Sequence, residues 1–336
     1  EPAYLYGGEL KVSATREVTC SQAIREALAE EMRRDPAVYL LGEDVTTGGY
    51  FAVTAGLADE FGPERVIDTP ISEYAIVGTS VGAAMTGRRP IAEIQFGDFL
   101  TCCMDPIINQ AAKLRYMSGG QVKVPIVVRM PFGAGGSYAS HHSQSLEAWF
   151  VHIPGLKVVQ PSNAYDAKGL LKSAIRDDNP VVFCEHKFVY GLKGTIPEEE
   201  YTVPLGKARV VREGTDITVI ATSLMVNRAL KAASALEEYG ISCEVIDPRT
   251  LRPLDEEMLC NSAKKTGKVL IVHEACDTGG VSGEITKALV RGAFYYLDAV
   301  ETLAGKDAPI PFAPVMERWV APDEERIKRK VKEMVS

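Results

Sequence analysis

Four places in this 336-residue sequence combine residue types that could do chemistry. Asp68-Thr-Pro-Ile-Ser-Glu73 sets a carboxylate where a strand gives way to a helix of small residues, Gly78-Thr-Ser-Val-Gly82-Ala-Ala. Ser72 and Glu73 serve there either as helix caps, since acids suit a first turn, or as an active-site acid. The second reading has its own reason: ligands of open α/β sheets gather at the carboxyl ends of strands. Glu93-Ile-Gln95-Phe-Gly-Asp-Phe99 is a second strand end. A half-buried strand accounts for its alternation, while Gln95 and Phe99 could also anchor and stack on a flat ring.

The third place is the glycine-rich loop from Pro131 to Gln144, which carries His141 and His142 in a chain with only five histidines. Its spacing is not G-x-G-x-x-G and no long helix opens after it, so a dinucleotide site is a poor reading. A metal would need further ligands at matching spacing, and none is near. A loop histidine suits proton transfer; a surface turn is the plainer alternative. The fourth place, His273-Glu274-Ala-Cys-Asp-Thr-Gly-Gly280, reads as a strand-to-helix turn with packing glycines, or as a subunit contact.

The elements that must position these residues follow from periodicity. Thr19-Cys-Ser-Gln22 has capping-box spacing, and Ile24, Ala27, Leu28 and Met32 then recur at helical spacing until Asp35-Pro36. Strands are expected at Val38–Gly42, Arg65–Thr69, Pro90–Gln95, Pro125–Met130, Leu156–Gln160 and Val181–Glu185, with helices near 72–87, 104–117 and 163–176. Continuous apolar strands separated by helices predict a parallel sheet covered on both faces. The polar stretch 191–206, rich in Gly, Pro and Glu, reads as a linker. Strands at Asp216–Thr222, Cys243–Asp247 and Lys268–His273, alternating with helices, predict a second α/β domain closed by a helix over 322–334. The expected division is an N-terminal extension over 1–17, a domain over 18–190, the linker over 191–206 and a domain over 207–336.

Composition narrows the classes. A net charge of −8 argues against nucleic acid as a partner. No apolar run reaches the roughly 18 residues of a membrane span, and the first residues do not read as a signal peptide. Seven cysteines without Cys-x-x-Cys pairs fit neither a disulfide framework nor a zinc site, so they are expected as apolar fillers in a reducing cytoplasm. The basic run 326–330 is expected as a solvated face.

Taken together the segments are specific. LGEDV (41–45), DTPISE (68–73), EIQF (93–96), NQAAK (109–113), RYMSGGQ (115–121), HHSQS (141–145), PGLKVVQPSNAYDAKGLL (154–171), EVIDPRTLRPLD (244–255) and TGKVLIVHEA (266–275) occur in one order. That series resembles the beta subunits of the thiamine-diphosphate-dependent decarboxylating component of 2-oxo acid and acetoin dehydrogenase complexes, from about Val18 to the C-terminus. The resemblance implies two doubly wound α/β domains, a pyrimidine-binding fold followed by a transketolase C-terminal-like domain. It implies that Glu73 hydrogen-bonds the cofactor's pyrimidine, that Ile71, Gln95 and Phe99 line that ring, and that His142 is the catalytic histidine. His141 replaces a residue that is not histidine in such relatives. The resemblance also implies a structural potassium ion on backbone oxygens around Ala174, Asp177 and Asn179, facing Val124, Ile126 and Val127.

A carboxyl sharing a proton with the pyrimidine favours the tautomer that activates the thiazolium carbon, and a histidine moving protons during acyl transfer contributes roughly 10²–10⁴ in rate. The Gly-Asp-Gly segment by which such families bind diphosphate and magnesium does not occur in this sequence. The resemblance therefore implies an alpha subunit that holds magnesium and shares thiamine diphosphate, in a two-alpha, two-beta heterotetramer serving a lipoyl acyltransferase. The FCEHKFVYGLKGTIPE string (183–198) leans toward pyruvate or acetoin types, with a branched-chain 2-oxo acid as alternative. Two other classes stand against this expectation. A non-catalytic docking subunit would have no use for both Glu73 and His142. A self-sufficient transketolase-like enzyme would bind the cofactor as a lone chain.

Overall fold

The computed structural model describes residues 14–336; the first thirteen residues of the expected extension over 1–17 lie outside the described residues. In chain order, the first half holds β1 (Thr15–Thr19), α1 (Cys20–Arg34), β2 (Val38–Gly42), α2 (Leu57–Phe61), β3 (Val66–Asp68), α3 (Glu73–Met85), β4 (Arg89–Glu93), α4 (Ala112–Met117), β5 (Val127–Phe132), α5 (Glu147–Val151), β6 (Lys157–Val159), α6 (Ala164–Arg176), β7 (Val181–His186) and β8 (Lys193–Pro197). The second half holds β9 (Arg209–Arg212), β10 (Ile217–Ala221), α7 (Leu224–Leu236), β11 (Cys243–Asp247), β12 (Thr250–Arg252), α8 (Glu256–Thr266), β13 (Lys268–Cys276), α9 (Ser282–Ala293), β14 (Ala299–Gly305), α10 (Pro314–Val320) and α11 (Glu324–Val335).

The first sheet runs β12-β6-β7-β5-β4-β2-β3 and is parallel except for β12. Every residue of β5 and β7 is buried, as strands covered on both faces must be. One cover is α1 with α6, burying Ile24, Leu28, Leu170 and Leu171. The other uses Ile76, Val77 and Val81 of α3. At the start of α1 the Thr19–Gln22 capping box is formed on both sides, and Asp35 ends the helix. The second sheet runs β14-β13-β10-β11-β9, parallel except for β9, with α7 and α11 against one face and α8 and α9 against the other.

Three departures from the sequence expectation have local causes. The 191–206 span carries β8, which pairs antiparallel with β1 through Thr15↔Pro197 and Thr19↔Lys193. A two-stranded edge ribbon tolerates the Gly and Pro that suggested a linker. The helix expected at 104–117 is present but widened: a 3₁₀ turn (Gly97–Cys103) leads into it, Met104 and Asp105 begin it, Pro106–Ala111 form a π turn and α4 completes it. Finally, the chain returns from the second domain through β12 to extend the first sheet, pairing Thr250 with Val159. That return is pinned by the buried Arg249–Asp166 ion pair at 2.7 Å and by Ser162 donating to Asp247 at 2.5 Å.

Among the described residues no helix is long and apolar enough to cross a membrane. All seven cysteines are free and five are buried. Within the basic run, Arg326 donates to the Ala321 carbonyl at 2.9 Å, Lys328 pairs with Glu325 at 2.5 Å and Lys330 faces Glu301 at 3.4 Å.

Glu147, in the first turn of α5, is 3% exposed, and burial, reinforced by the charge of Glu274, pushes its carboxyl up to about 7. The folded state thus holds this proton more tightly than the unfolded chain does. Its stabilising contribution is complete below an ordinary glutamate pKa of about 4.3 and is lost as pH rises through about 7. We expect Glu147→Gln, which stays neutral, to gain stability over the wild type between pH 4.5 and 7.5, by on the order of 3 kcal/mol at the upper end. Denaturant midpoints across that range check it; a difference independent of pH would remove the buried-acid explanation.

Candidate active site

Register puts the strand ends at one level. Gly42 pairs with both Asp68 and Glu93, and Glu93 pairs with Arg129. The residues that follow β2, β3, β4 and β5 therefore emerge together at the carboxyl edge of the first sheet. There Ile71, Glu73, Gln95, Phe99 and His142 line one cleft of about 610 Å³. Glu43, Tyr50, Phe96, Ser137 and Tyr138 complete it. The five residues singled out in the sequence, spread over 72 positions, are brought together.

Glu73 is the first residue of α3, and Ser72 makes no side-chain cap bond. The capping reading of Ser72 is thus not realised, while the Glu73 carboxylate faces the cleft. Across it, Glu43 follows β2 and is 8% exposed. Burial, the charge of Glu73 and the charge of Asp44 push the Glu43 carboxyl up. Two acids therefore line one site, and the charge of one helps push the other's carboxyl up. Gln95 reaches toward the Glu43 carbonyl at 3.5 Å and the Asp44 carboxylate at 3.4 Å. Ile71 stands at the rim, 84% exposed.

The imidazole of His142 packs edge-on against Phe96 and Phe99, with centroids 4.7 and 5.3 Å away. No hydrogen bond among the described residues holds either of its ring nitrogens. Beneath it Lys187, which burial pushes down to about 8, donates to the His142 carbonyl and lies over the Tyr138 ring at 4.7 Å. The loop carrying His142 is left-handed at Gly133, Gly135, Ser137 and Ala139. The two non-glycine residues cost roughly 1–2 kcal/mol each, so contacts outside the loop must hold its shape.

His141 points elsewhere: it is exposed and lines a separate cavity of about 600 Å³ with Cys276 and Lys306. His273 is no part of the cleft; it is buried, at 3.0 Å from the Ser282 hydroxyl, and burial pushes it down to about 4. The potassium candidates do meet at one corner, where the Val124 N–H donates to the Asp178 carbonyl at 3.3 Å and the Asp177 N–H to the Ala174 carbonyl at 3.3 Å. Arg89 also donates to the Asp177 carbonyl at 3.0 Å, and Lys157 and Lys123 pair with Asp177 and Asp178. A further cation would face those three side chains, whose charges the two carboxylates largely balance. Among the described residues no group of His, Cys, Asp and Glu could hold a metal ion.

Glu43, Tyr50, Phe96 and Tyr138 were not singled out from the sequence. Glu43 had a legible signal, an acid directly after a buried parallel strand. The aromatic residues had none, because their ring contacts join segments far apart in the chain. As a donor set, the cleft offers carboxyl and amide groups for ring nitrogens and amines, and aromatic faces for a flat heterocycle. Among the described residues its lining contains two carboxylates and no lysine or arginine. The nearest cation is Lys187, beneath the Phe96 and Tyr138 rings at 5.3 and 4.7 Å.

Comparison with known proteins identifies the family of both halves. Residues 16–192 match the family "Transketolase, pyrimidine binding domain" and residues 206–327 match "Transketolase, C-terminal domain". The 2-oxoisovalerate dehydrogenase subunit beta of Bacillus subtilis is 50% identical over 93% of this chain and 97% of the relative. The pyruvate dehydrogenase E1 component subunit beta of Rickettsia felis is 46% identical over 95% and 98%. The acetoin:2,6-dichlorophenolindophenol oxidoreductase subunit beta of Bacillus subtilis is 47% identical over 93% and 95%. Among solved structures, a split-gene transketolase described as an inactive beta4 tetramer superposes with a TM-score of 0.78 at 24% identity, covering 95% of this chain and 98% of that one. At that identity the likeness concerns the fold.

Proposed function

The chain belongs to the family of transketolase-like beta subunits of 2-oxo acid and acetoin dehydrogenases, and from that premise we propose that it supplies the pyrimidine-binding half of a thiamine-diphosphate-dependent active site. The observation that carries the proposal is the cleft itself. Glu73, Gln95, Phe99 and Ile71 converge on a space that suits an aminopyrimidine, and among the described residues no lysine or arginine lines it. An alpha subunit holding diphosphate and magnesium completes the site, in a heterotetramer of two alpha and two beta chains.

Thiamine diphosphate supplies the carbon nucleophile that cleaves 2-oxo acids. Glu73 holds a proton at the pyrimidine ring, and Glu43 beside it, pushed toward its neutral form, limits the negative charge in the pocket. Phe99 and Ile71 exclude water from the ring faces and Gln95 orients the cleft's polar edge. His142 moves protons at the substrate oxygen during transfer to a lipoyl group of the acyltransferase component.

For the substrate we propose pyruvate first, with acetoin and a branched-chain 2-oxo acid as the alternatives. Relatives with all three in their names lie between 46% and 50% identity and do not separate them. The test is coexpression with an alpha chain, followed by assay of the three substrates with an artificial electron acceptor. We expect decarboxylation of one 2-oxo acid by the pair, and calorimetry of the lone beta chain with thiamine diphosphate and magnesium should show no binding. Tight binding by the lone chain would sink the shared-site reading, and an inactive pair that still assembles would favour a docking subunit.

A further inference from the structure

The loop that presents His142 is held from outside its own domain, and we propose that Glu317 is a positioning residue for that histidine. Glu317 lies on α10 of the second domain and is 2% exposed. One of its carboxylate oxygens accepts the Gly135 N–H at 2.6 Å and the other accepts the Ser137 N–H at 3.0 Å. The same domain adds two further ties: Ser140 donates its hydroxyl to the Ile310 carbonyl at 2.8 Å, and Glu274 accepts the Ala134 N–H at 3.0 Å. Neither Glu274 nor Glu317 lines the cleft.

The physical reason is a division of labour within the loop. Left-handed backbone at Gly133, Gly135, Ser137 and Ala139 leaves it no repeating hydrogen-bond ladder of its own. Nearby N–H groups in such a turn can converge on an anion, and here those of Gly135 and Ser137 converge on the Glu317 carboxylate. Lys187 ties the His142 carbonyl and Glu317 ties the loop five to seven residues before it, so the direction of the His142 side chain depends on both; among the described residues ring contacts with Phe96 and Phe99 are what touch the imidazole. Charge and shape can be separated by substitution. Glutamine keeps one acceptor oxygen but turns an NH₂ toward the second N–H donor, so half of the clamp is lost.

This inference rests on the reading that His142 transfers protons in acyl transfer, and the test separates the two. In the assembled alpha–beta enzyme, Glu317→Ala should raise hydrogen exchange across 134–145 at least about tenfold, with the strands of both sheets unchanged and Glu317→Gln intermediate. Lipoyl-domain acylation should fall roughly 10- to 100-fold in kcat, with KM for the 2-oxo acid changed less than about twofold. In a His142→Ala background, Glu317→Ala should cost nothing further. Unchanged exchange in the loop, or an equal loss of rate with and without His142, overturns the proposal. A fully active His142→Ala enzyme removes the catalytic reading of the histidine instead, and the exchange result then decides alone whether Glu317 holds the loop.

Discussion

Glu73→Gln leaves the alpha–beta assembly folded and lowers turnover roughly 10³-fold, whichever electron acceptor is used. The substitution is nearly isosteric, and position 73 is a half-buried first-turn site whose neighbouring Ser72 makes no cap bond, so stability changes little. What is lost is a carboxyl able to hold a proton at the pyrimidine, a role worth about 10²–10⁴ for a positioned acid–base group. The amide cannot share that proton, and it removes the charge that helps push the Glu43 carboxyl up. The measurement is steady-state decarboxylation beside a melting curve and a gel-filtration profile of the assembly. Turnover within a factor of two of wild type would end the assignment of this cleft to thiamine diphosphate.

The second large effect separates two half-reactions. His142→Ala should reduce lipoyl acylation by about 10²–10⁴, while decarboxylation with a small artificial acceptor falls much less. The imidazole packs against Phe96 and Phe99 and comes from the loop after β5, whereas Glu43 and Glu73 come from the segments after β2 and β3. On the proposed function it serves the incoming acceptor rather than the ring. The backbone ties of the loop survive the truncation, since Lys187 bonds the His142 carbonyl and Asp98 bonds the Gln144 N–H at 3.3 Å. Collapse of the loop is therefore not the expected cause of the loss. An unchanged rate with a lipoyl domain as acceptor would reduce the loop to a structural element. Equal losses with both acceptors would move His142 into the decarboxylation step.

Much of this molecule was legible along the chain because the relevant physics is local. Short apolar runs such as Val181–Glu185, bounded by turn residues and rich in β-branched side chains, read as strands covered on both faces, and the Thr19–Gln22 spacing satisfies two free N–H groups at the helix start. Polar residues in the turns that follow such strands gather at the carboxyl edge of a parallel sheet, which is why Glu73 and Gln95 were legible as candidates. Tertiary structure alone decided the rest. The 191–206 span became a strand because β1 offered it unpaired backbone groups, and β12 crossed back because the edge of β6 did the same. The ring cluster around His142, the elevated carboxyl of Glu43 and the hold of Glu317 on a loop 180 residues away depend on distances between segments that share no local signal. Hydrogen bonding within a turn is written in neighbouring residues; desolvation and charge proximity come into being only when the chain closes on itself.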